Sequence, residues 1–435
     1  MAQTLSEGSV LLPNLIFAGL IYQHYGQMDY LMPFVLLYTF EKAGMFFLHG
    51  WGRINNPYTI LMVGLIVATS GSICTIFGKV EPVLWKIGAI LIGIGLSTYT
   101  PMYLTLRDKM ISNGSWGLKN EMISGYAGLL LLILLIFGVR HIAIQWVFII
   151  FLTLLVSVTA FVWSLRKRHP YGKNPPFQSG TFSASNIVLG ITAFLLTLFI
   201  RVYKQTSDIR YIMVMFLFYF LLFVVSEFQR KKPYRIHSLR TMWYGSIRNF
   251  VTIFSLIFFT AIGRASNVTI AYIMIGFGVA AATVCANKLQ RLCVRYDYEK
   301  VCVAVVCGSL LLLLVPVDAV YMVGVFLTCM FVACGNRAAT KLYLLDIGFR
   351  TEDVRLIRAK FYGMGAVLQQ GIMLLVLAGA SVVANVPKEA VLGAYSFASG
   401  SAEWITVYRT TLVVCIIIAI FTGILVTRIS SHSDY

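Results

Sequence analysis

The chain has 435 residues, of which 59% are hydrophobic and only 12% are charged, and its formal net charge is +18. Soluble globular domains carry roughly 25% charged residues, so this composition excludes an ordinary soluble protein and predicts a membrane protein. The lysines and arginines lie almost wholly in short connections between apolar runs. This placement argues against a nucleic-acid partner. Lysines and arginines in the connections of a membrane protein instead indicate which side of the bilayer each connection lies on.

Fourteen stretches are apolar enough to be interpreted as membrane-spanning helices, since a span needs about 20 residues at a rise of about 1.5 Å per residue. They are 10–24, 30–48, 58–77, 83–105, 122–139, 142–165, 186–203, 209–227, 244–263, 267–285, 301–315, 319–340, 361–380 and 408–426. If the N-terminus is cytoplasmic, most lysines and arginines fall in cytoplasmic connections. The positive-inside rule therefore predicts that both termini are cytoplasmic.

Two basic runs divide the chain into a six, two, six arrangement of spans. The predicted fold is an all-α membrane protein with an N-terminal six-helix bundle (1–165), a segment of basic loops and a central helical pair (166–240), and a C-terminal six-helix bundle (241–435). The two six-helix bundles have similar connecting loops, as in carriers built from repeats around a central substrate site. The alternative is an unrelated polytopic protein whose symmetry arises by chance.

The connection between the second and third predicted spans reads His49-Gly50-Trp51-Gly52-Arg53-Ile54-Asn55-Asn56-Pro57. It resembles the signature loop Gly-x-x-x-Asp-Arg-x-Gly-Arg-Arg of the major facilitator superfamily, and the chain as a whole resembles the fourteen-span members. Gly52 and Arg53 fit the pattern, whereas His49 stands where the acid is expected. In the second half, Asn287 and Lys288 stand in the Asp-Arg position. The resemblance implies that these two loops form a conformational latch, although the acid is missing from both.

A second resemblance is to the glycoside and cation symporter branch of related carriers. It rests on residues 101–108 and on residues 345–363. That branch has paired acids in its second span, whereas the second span here holds only Glu41. The branch also has twelve spans and not fourteen.

Glu41 lies about eleven residues into the second span. A charge at such depth costs about 2.5 to 3.5 kcal/mol, so it usually faces a watery cavity or has a partner. Glu41 is therefore the predicted coupling residue, which would take up and release a proton. The alternative is a structural ion pair with Arg248 or Lys42.

Several polar side chains within predicted spans are candidates for lining a substrate cavity. They are Arg248, Asn249, Arg337, Gln369, Gln370 and Tyr38. An arginine can hold an anionic group through its planar fork, but one near a span end also snorkels to the interface. Amides line cavities or bond across helices, and tyrosines stack on a substrate or anchor at the interface.

Glycines recur within two of the predicted spans. Gly88, Gly93 and Gly95 share the fourth, and Gly363, Gly365 and Gly371 share the thirteenth. Small residues let helix backbones approach closely in a membrane, so these positions predict tight helix contacts.

No Gly-rich phosphate loop is present in the sequence, so direct use of ATP is not expected. The eight cysteines and the histidines show no metal-binding spacing, and neither a metal nor a cofactor is predicted. The predicted function is that of a secondary active transporter, ion- or proton-coupled, for a small-molecule solute in the cytoplasmic membrane. The chain is expected to be a monomer and not an enzyme. The alternatives are a flippase for a lipid-linked or amphipathic substrate, or a non-transporting membrane enzyme or scaffold.

Overall fold

The computed structural model describes residues 1–9, 11–23, 28–117, 121–139, 143–202, 209–228, 232–293, 297–345, 350–387 and 402–431. Throughout these ranges the chain is built from α-helices, two short 3₁₀ turns and their connections. The β-structure in the described ranges is a single isolated bridge between Ile54 and Phe177. The prediction of an all-α membrane protein is confirmed.

The helices follow one another along the chain with short connections. In order they are α1 (Ala2–Gly8), α2 (Leu11–Gln23), α3 (Met28–Trp51), α4 (Pro57–Ile76), α5 (Val83–Ser97), α6 (Tyr99–Ser112), α7 (Glu121–Val139), α8 (Ile144–Ser164), α9 (Ala184–Val202), α10 (Ile209–Phe228), α11 (Lys232–Ala261), α12 (Ala265–Leu292), α13 (Tyr298–Leu312), α14 (Asp318–Leu345), α15 (Thr351–Val383) and α16 (Ala402–Ser431). Every predicted span overlaps a helix. The helices commonly extend beyond the apolar run, because a helix ends at its cap and not where its hydropathy falls.

Eight helical stretches among the described residues are long and apolar enough to cross a membrane. They are Pro57–Lys79, Val83–Ser112, Ile144–Lys167, His237–Ala261, Ser266–Leu292, Asp318–Lys341, Thr351–Val383 and Glu403–Ile429. Two shorter apolar helices cover Glu121–Ile136 and Ala184–Phe199. The count of fourteen spans and their six, two, six grouping therefore stay predictions.

The chain divides into two compact units. Unit 1 comprises Met1–Leu198 together with Arg350–Ala359, and unit 2 comprises Phe199–Phe349 together with Lys360–Tyr435. This division describes packing and does not test whether 166–240 acts as a linker, so the predicted domain bounds stay a prediction. The N-terminal turns of α15 belong to unit 1, and the rest of that helix belongs to unit 2.

Unit 1 contains a helix that the apolar pattern did not indicate. α1 lies before the first predicted span, and its Leu5 is fully buried in the core of the unit. A Cβ at Gly125 of α7 would lie 2.5 Å from Gln3 Cγ, and one at Gly128 would lie 2.6 Å from Thr4 Oγ1. The two glycines therefore leave the space in which α1 packs on α7.

In unit 2, α11 and α15 also approach each other through glycine. A Cβ at Gly365 would overlap the carbonyl oxygen of Met242, and one at Gly245 would overlap that of Tyr362. The Asn249 side chain donates to the Ala366 carbonyl at 3.0 Å across the same contact. Gly365 is one of the glycines for which the sequence predicted a tight helix contact, and the packing confirms it.

We expect Gly365→Ala to destabilise the protein by about 1 to 3 kcal/mol, because the added methyl group would have to displace the backbone of α11. Gly379 lies on the same helix, is exposed, and has open space around its added Cβ. Gly379→Ala is therefore the matched control and should leave stability unchanged or slightly raised. Thermal unfolding of the purified variants in detergent measures both, and equal melting temperatures would contradict the close α11–α15 contact.

Candidate functional site

The connection between α3 and α4 has a defined backbone conformation. Gly52 adopts φ +144°, a region that favours glycine because it has no Cβ. α4 then begins at Pro57, and the Asn56 side chain caps it by accepting from the Thr59 amide at 3.2 Å. The glycine, the cap and the proline together determine how the chain turns from one helix into the next.

A second segment, residues 171–183, lies along this connection, and we call it the clip. The amides of Asn55 and Asn56 donate to the Pro176 carbonyl at 2.9 and 3.2 Å, and the Gln178 amide donates to the Arg53 carbonyl at 3.0 Å. The α3–α4 connection is thus held by backbone hydrogen bonds, whereas the Arg53 side chain is exposed.

An acidic side chain from α15 contacts this connection. Asp353 is 5% exposed, and its Oδ1 accepts from the Ile54 amide at 2.8 Å. Nearby, Arg350 donates to the Gln178 side chain of the clip at 2.7 Å. Leu356, one turn further along α15, is fully buried in the core of unit 1. Sequence reasoning missed Asp353, because it lies about 300 residues away along the chain from the loop it holds.

The stretch that resembled the symporter branch also meets the start of α15. Asp108 at the end of α6 pairs with Arg355, and the neighbouring Arg107 approaches the same carboxylate at 3.3 Å. The three side chains are only partly exposed. An aspartate shared by two arginines leaves a net positive charge at this end of α6.

The predicted latch residues are thus located, although their role is not tested by the geometry. Gly52 and Arg53 lie in the connection held by the clip and by Asp353. Asn287 and Lys288 lie on α12 in unit 2, and both side chains are exposed. Their action as a latch stays a prediction.

We expect Asp353→Ala to leave the Ile54 amide buried without its acceptor, which costs about 1 to 3 kcal/mol. The peptide containing Ile54 should then exchange its amide hydrogens faster. Glu352→Ala is the matched control. The Glu352 carboxylate forms a long ion pair with Arg350 at 4.0 Å, which should contribute little to stability. Hydrogen–deuterium exchange read by mass spectrometry compares the two variants. Exchange at Ile54 that is unchanged in Asp353→Ala would contradict the role assigned to this carboxylate.

A histidine anchors the start of the clip. The His169 ring stacks on the Tyr58 ring with centroids 4.2 Å apart, and its Nδ1 accepts from the Tyr171 amide at 3.3 Å. Partial burial and the neighbouring Arg166 lower the pKa of His169 below its ordinary value of 6.5. Only the neutral ring can accept through Nδ1, so the observed hydrogen bond belongs to the uncharged form.

The folded state therefore holds His169 neutral at a pH where the unfolded chain would protonate it. Its contribution to stability is present above pH 6.5 and is lost as the pH falls below that value. We expect the melting temperature to fall more between pH 7.5 and pH 5.5 in the unmodified protein than in His169→Phe, which keeps a stacking ring but cannot titrate. A pH dependence that His169→Phe leaves unchanged would show that this histidine makes no such contribution.

Glu41 lies in a buried polar group on α3. Its carboxylate is 4% exposed and pairs with the Lys42 ammonium at 2.8 Å. Asn14 of α2 donates to the other carboxylate oxygen at 3.2 Å, and the ammonium lies 5.1 Å from the centre of the Tyr38 ring. The long lysine side chain reaches its neighbour although adjacent helical residues point about 100° apart.

Of the two structural pairs that the sequence left open for Glu41, the structure therefore contains the one with Lys42. A buried ion pair is compatible with a structural role and with a functional one, since each charge needs a partner in an apolar helix. The coupling role of Glu41 is not tested by this geometry and stays a prediction. Tyr38 belongs to the same group, because its ring contacts the ammonium.

The other candidate lining residues lie in unit 2 and differ in their surroundings. Gln369 and Gln370 on α15 are buried, at 6% and 3% exposure. Arg248 on α11 is exposed, whereas its neighbour Asn249 is used in the α11–α15 contact. Arg337 on α14 donates to Thr283 and to the Ala282 carbonyl on α12. Whether any of them contacts a substrate stays a prediction.

Unit 1 holds a second, partly buried polar group, which sequence reasoning missed. Gln3 of α1 donates to Glu7 at 2.7 Å and accepts from Arg107 of α6 at 3.0 Å. The Tyr126 hydroxyl of α7 donates to the other Glu7 oxygen at 2.7 Å. We call these four residues the α1 network. The signal that could have found it is the Gly125-x-x-Gly128 spacing, which brings α1 against α7.

Beside this network lies another carboxylate. Glu121 at the start of α7 accepts from the Tyr103 hydroxyl and, at 3.0 Å, from the Trp116 ring nitrogen. Tyr103 stacks on Tyr99, whose hydroxyl donates to the Ala2 carbonyl at 2.9 Å. α1, α6 and α7 are thus joined by polar contacts that require several tyrosine hydroxyls.

A small pocket in unit 2 is lined by charged and aromatic side chains from α11, α13 and α16. Arg240 pairs with Glu299 there at 2.8 Å, and Lys300 approaches Asp297 at 3.6 Å. Its acids are therefore already paired with cations. Within the described ranges, no three His, Cys, Asp or Glu side chains come together in a way that could hold a metal ion.

The chain is similar in structure to solved membrane transporters along nearly its whole length. It resembles the nucleoside transporter NupG with a TM-score of 0.57 and 12% identity over 98% of both chains. It resembles an auto-inhibited POT family peptide transporter with a TM-score of 0.55 and 14% identity, over 99% of this chain and 95% of that one. It resembles the human organic anion transporter MFSD10 with a TM-score of 0.51 and 10% identity, over 97% of this chain and 96% of that one.

No protein-family model matches the sequence, and no curated protein matches it. At such low identity the structural similarity establishes the fold and leaves the substrate open. The chain therefore shares the fold of these solved transporters, which supports the resemblance to the major facilitator superfamily drawn from the connection around Gly52 and Arg53.

Proposed function

We propose that the protein is a secondary active transporter that moves a small-molecule solute by alternating access, coupled to an ion or a proton. The observation that carries the proposal is the buried group of Glu41, Lys42 and Asn14 within apolar helices. Burying such charges is costly, so they are retained at structural ion pairs or along ion and substrate pathways. The fold of solved transporters supports the second of these roles.

In this proposal Glu41 is the coupling residue. It would exchange its contact with Lys42 for contact with the coupling ion during the transport cycle. The substrate would be held by polar and aromatic side chains of the membrane helices. Those proposed for the lining are Tyr38, Arg248, Asn249, Arg337, Gln369 and Gln370. Gln369 and Gln370 fit this role through their burial on a membrane-spanning helix.

The two loops that resemble the superfamily signature are proposed to act as the conformational latch. Gly52 and Arg53 belong to the first loop, and Asn287 and Lys288 belong to the second. The hydrogen bond from the Ile54 amide to Asp353 supports a conformational role for the first loop, because the buried Asp353 carboxylate holds the backbone of this loop.

We further propose that the chain lies in the cytoplasmic membrane with both termini on the cytoplasmic side and works as a monomeric symporter. The fourteen spans and the resemblance to the glycoside and cation symporter branch belong to this proposal. The proposed orientation is supported by the distribution of lysine and arginine among the connections. The structures it resembles carry different solutes by their names, which are nucleosides, peptides and organic anions. These three classes are the first to test.

We expect proteoliposomes containing the protein to accumulate a radiolabelled nucleoside, dipeptide or organic anion when an inward proton gradient is imposed. Glu41→Gln should abolish the gradient-driven part of this accumulation, because the amide cannot carry the charge that pairs with Lys42 or the coupling ion. The control is Glu81→Gln, since Glu81 is an exposed carboxylate in the turn between α4 and α5. Equal gradient dependence in Glu41→Gln and in the unmodified protein would exclude a coupling role for Glu41.

A further inference from the structure

The end of α8 leads into a run of cations. Ile144–Lys167 is one of the stretches long and apolar enough to cross a membrane. At its end and just beyond it stand Arg166, Lys167, Arg168 and Lys173, and all four side chains are exposed. We call these four residues the basic patch. A basic run directly after a membrane-spanning helix lies within reach of the lipid headgroups.

Two exposed tryptophans indicate where the headgroups lie at this end of unit 1. Trp163 comes just before the basic patch and is 56% exposed, and Trp51 at the end of α3 is 65% exposed. Tryptophan is enriched where a bilayer meets water, because its ring is amphipathic. The Arg166 guanidinium lies 5.3 Å from the centre of the Trp163 ring, a cation–π contact that keeps the charge beside the indole. The basic patch is therefore at the level of the phosphate groups.

The exposed face of α8 leads from the bilayer interior to the basic patch. Val156, Ala160 and Trp163 follow one another at helical spacing, and all three are exposed. The face is apolar up to the tryptophan, and the first cation comes three residues later at Arg166. An apolar track that ends in cations matches the two parts of a phospholipid, its acyl chains and its phosphate.

The protein does not neutralise the charge of this patch. The sequence has no Asp or Glu in residues 122–207. In the ranges that the structure describes, none of the four cations forms an ion pair. The acids near the clip are used elsewhere, since Glu352 approaches Arg350 at 4.0 Å and Asp353 accepts from the Ile54 amide. The basic patch is therefore complementary to an anion.

The backbone beneath the basic patch is held in place. The amides of Arg168 and His169 both donate to the Leu165 carbonyl at 2.9 Å, and the Leu165 side chain is buried. His169 stacks on Tyr58, and the buried Tyr171 follows. Binding a ligand here does not require the chain to be ordered first, so little of the binding free energy is lost to ordering.

The Tyr58 hydroxyl is a second feature that points to an anion. It is buried and has no hydrogen-bond partner among the described residues, and it lies within electrostatic range of Arg166. A buried donor without an acceptor is costly. An oxygen atom of a phosphate held by Arg166 offers this hydroxyl an acceptor.

We propose that the basic patch and Trp163 bind the headgroup of an anionic phospholipid whose acyl chains lie along α8. The two arginines donate to the phosphate oxygens, and the two lysines add attraction to the negative headgroup. The basic patch runs into the clip, which is hydrogen-bonded to the α3–α4 connection through Pro176 and Gln178. The bound lipid therefore also steadies that connection. This inference does not depend on the proposed transport function.

Native mass spectrometry in a neutral detergent tests lipid binding, with phosphatidylglycerol and phosphatidylcholine of the same acyl chains as probes. We expect the unmodified protein to prefer phosphatidylglycerol, and Arg166→Gln/Lys167→Gln/Arg168→Gln to bind it about tenfold or more weakly. The matched control is Lys79→Gln/Arg291→Gln/Arg409→Gln, which removes three exposed cations elsewhere and should keep the binding. Equal affinity in the unmodified protein and the patch variant, or equal losses in both variants, would overturn the proposal.

Hydrogen–deuterium exchange of the unmodified protein in nanodiscs tests the effect on the clip, and it needs no variant that must fold. The amides of the clip and of the α3–α4 connection should exchange more slowly in phosphatidylglycerol than in phosphatidylcholine. Adding inorganic phosphate to phosphatidylcholine nanodiscs should leave the exchange unchanged. Equal exchange in the two lipids contradicts the link from lipid to clip, and slowing by inorganic phosphate alone shows a site for free anions in place of a lipid site.

Discussion

A polar group buried among the apolar helices of this protein is costly unless it pairs with another polar group of the protein. The α3–α4 connection shows this for the backbone, where the Ile54 amide is paired with the Asp353 carboxylate. Glu41 shows it for a charge, since Lys42 and Asn14 occupy both of its oxygens. Leaving any of these groups unpaired costs enough to decide which helices lie together. The polar contacts thus determine the arrangement that the apolar surfaces alone leave loosely defined.

Close packing of helices is the condition that lets these partners meet. Hydrogen bonds between side chains require backbones within a short distance, and a bulky residue at the contact would prevent that. Gly125 and Gly128 allow α1 to lie on α7, which brings Tyr126 to Glu7. Gly365 allows α15 to lie on α11, which brings the Ala366 carbonyl to Asn249. In both units, therefore, small residues and polar contacts act together and not as separate sources of stability.

The sequence predicted the features that depend on local pattern. Apolar runs predicted where helices lie, glycine spacing predicted the contact at Gly365, and the depth of a charge drew attention to Glu41. What it missed depends on residues far apart in the chain. Asp353 could not be assigned to the loop at Ile54, because nothing near either residue indicates the other. α1 was missed because its polar residues Gln3, Thr4 and Ser6 are buried by packing. Polar residues before the first apolar run usually lie in solvent, so their sequence did not indicate a packed helix. Glu7 was missed with it.

The central proposal is that the buried carboxylate of Glu41 couples the movement of an ion to that of a solute. The most direct measurement is a pH dye trapped inside proteoliposomes, read while nucleosides, dipeptides or organic anions are added outside at equal starting pH. We expect one class of solute to enter and acidify the interior, and Glu41→Gln to let the solute enter without acidification. Solute entry with no change of internal pH in the unmodified protein would contradict it.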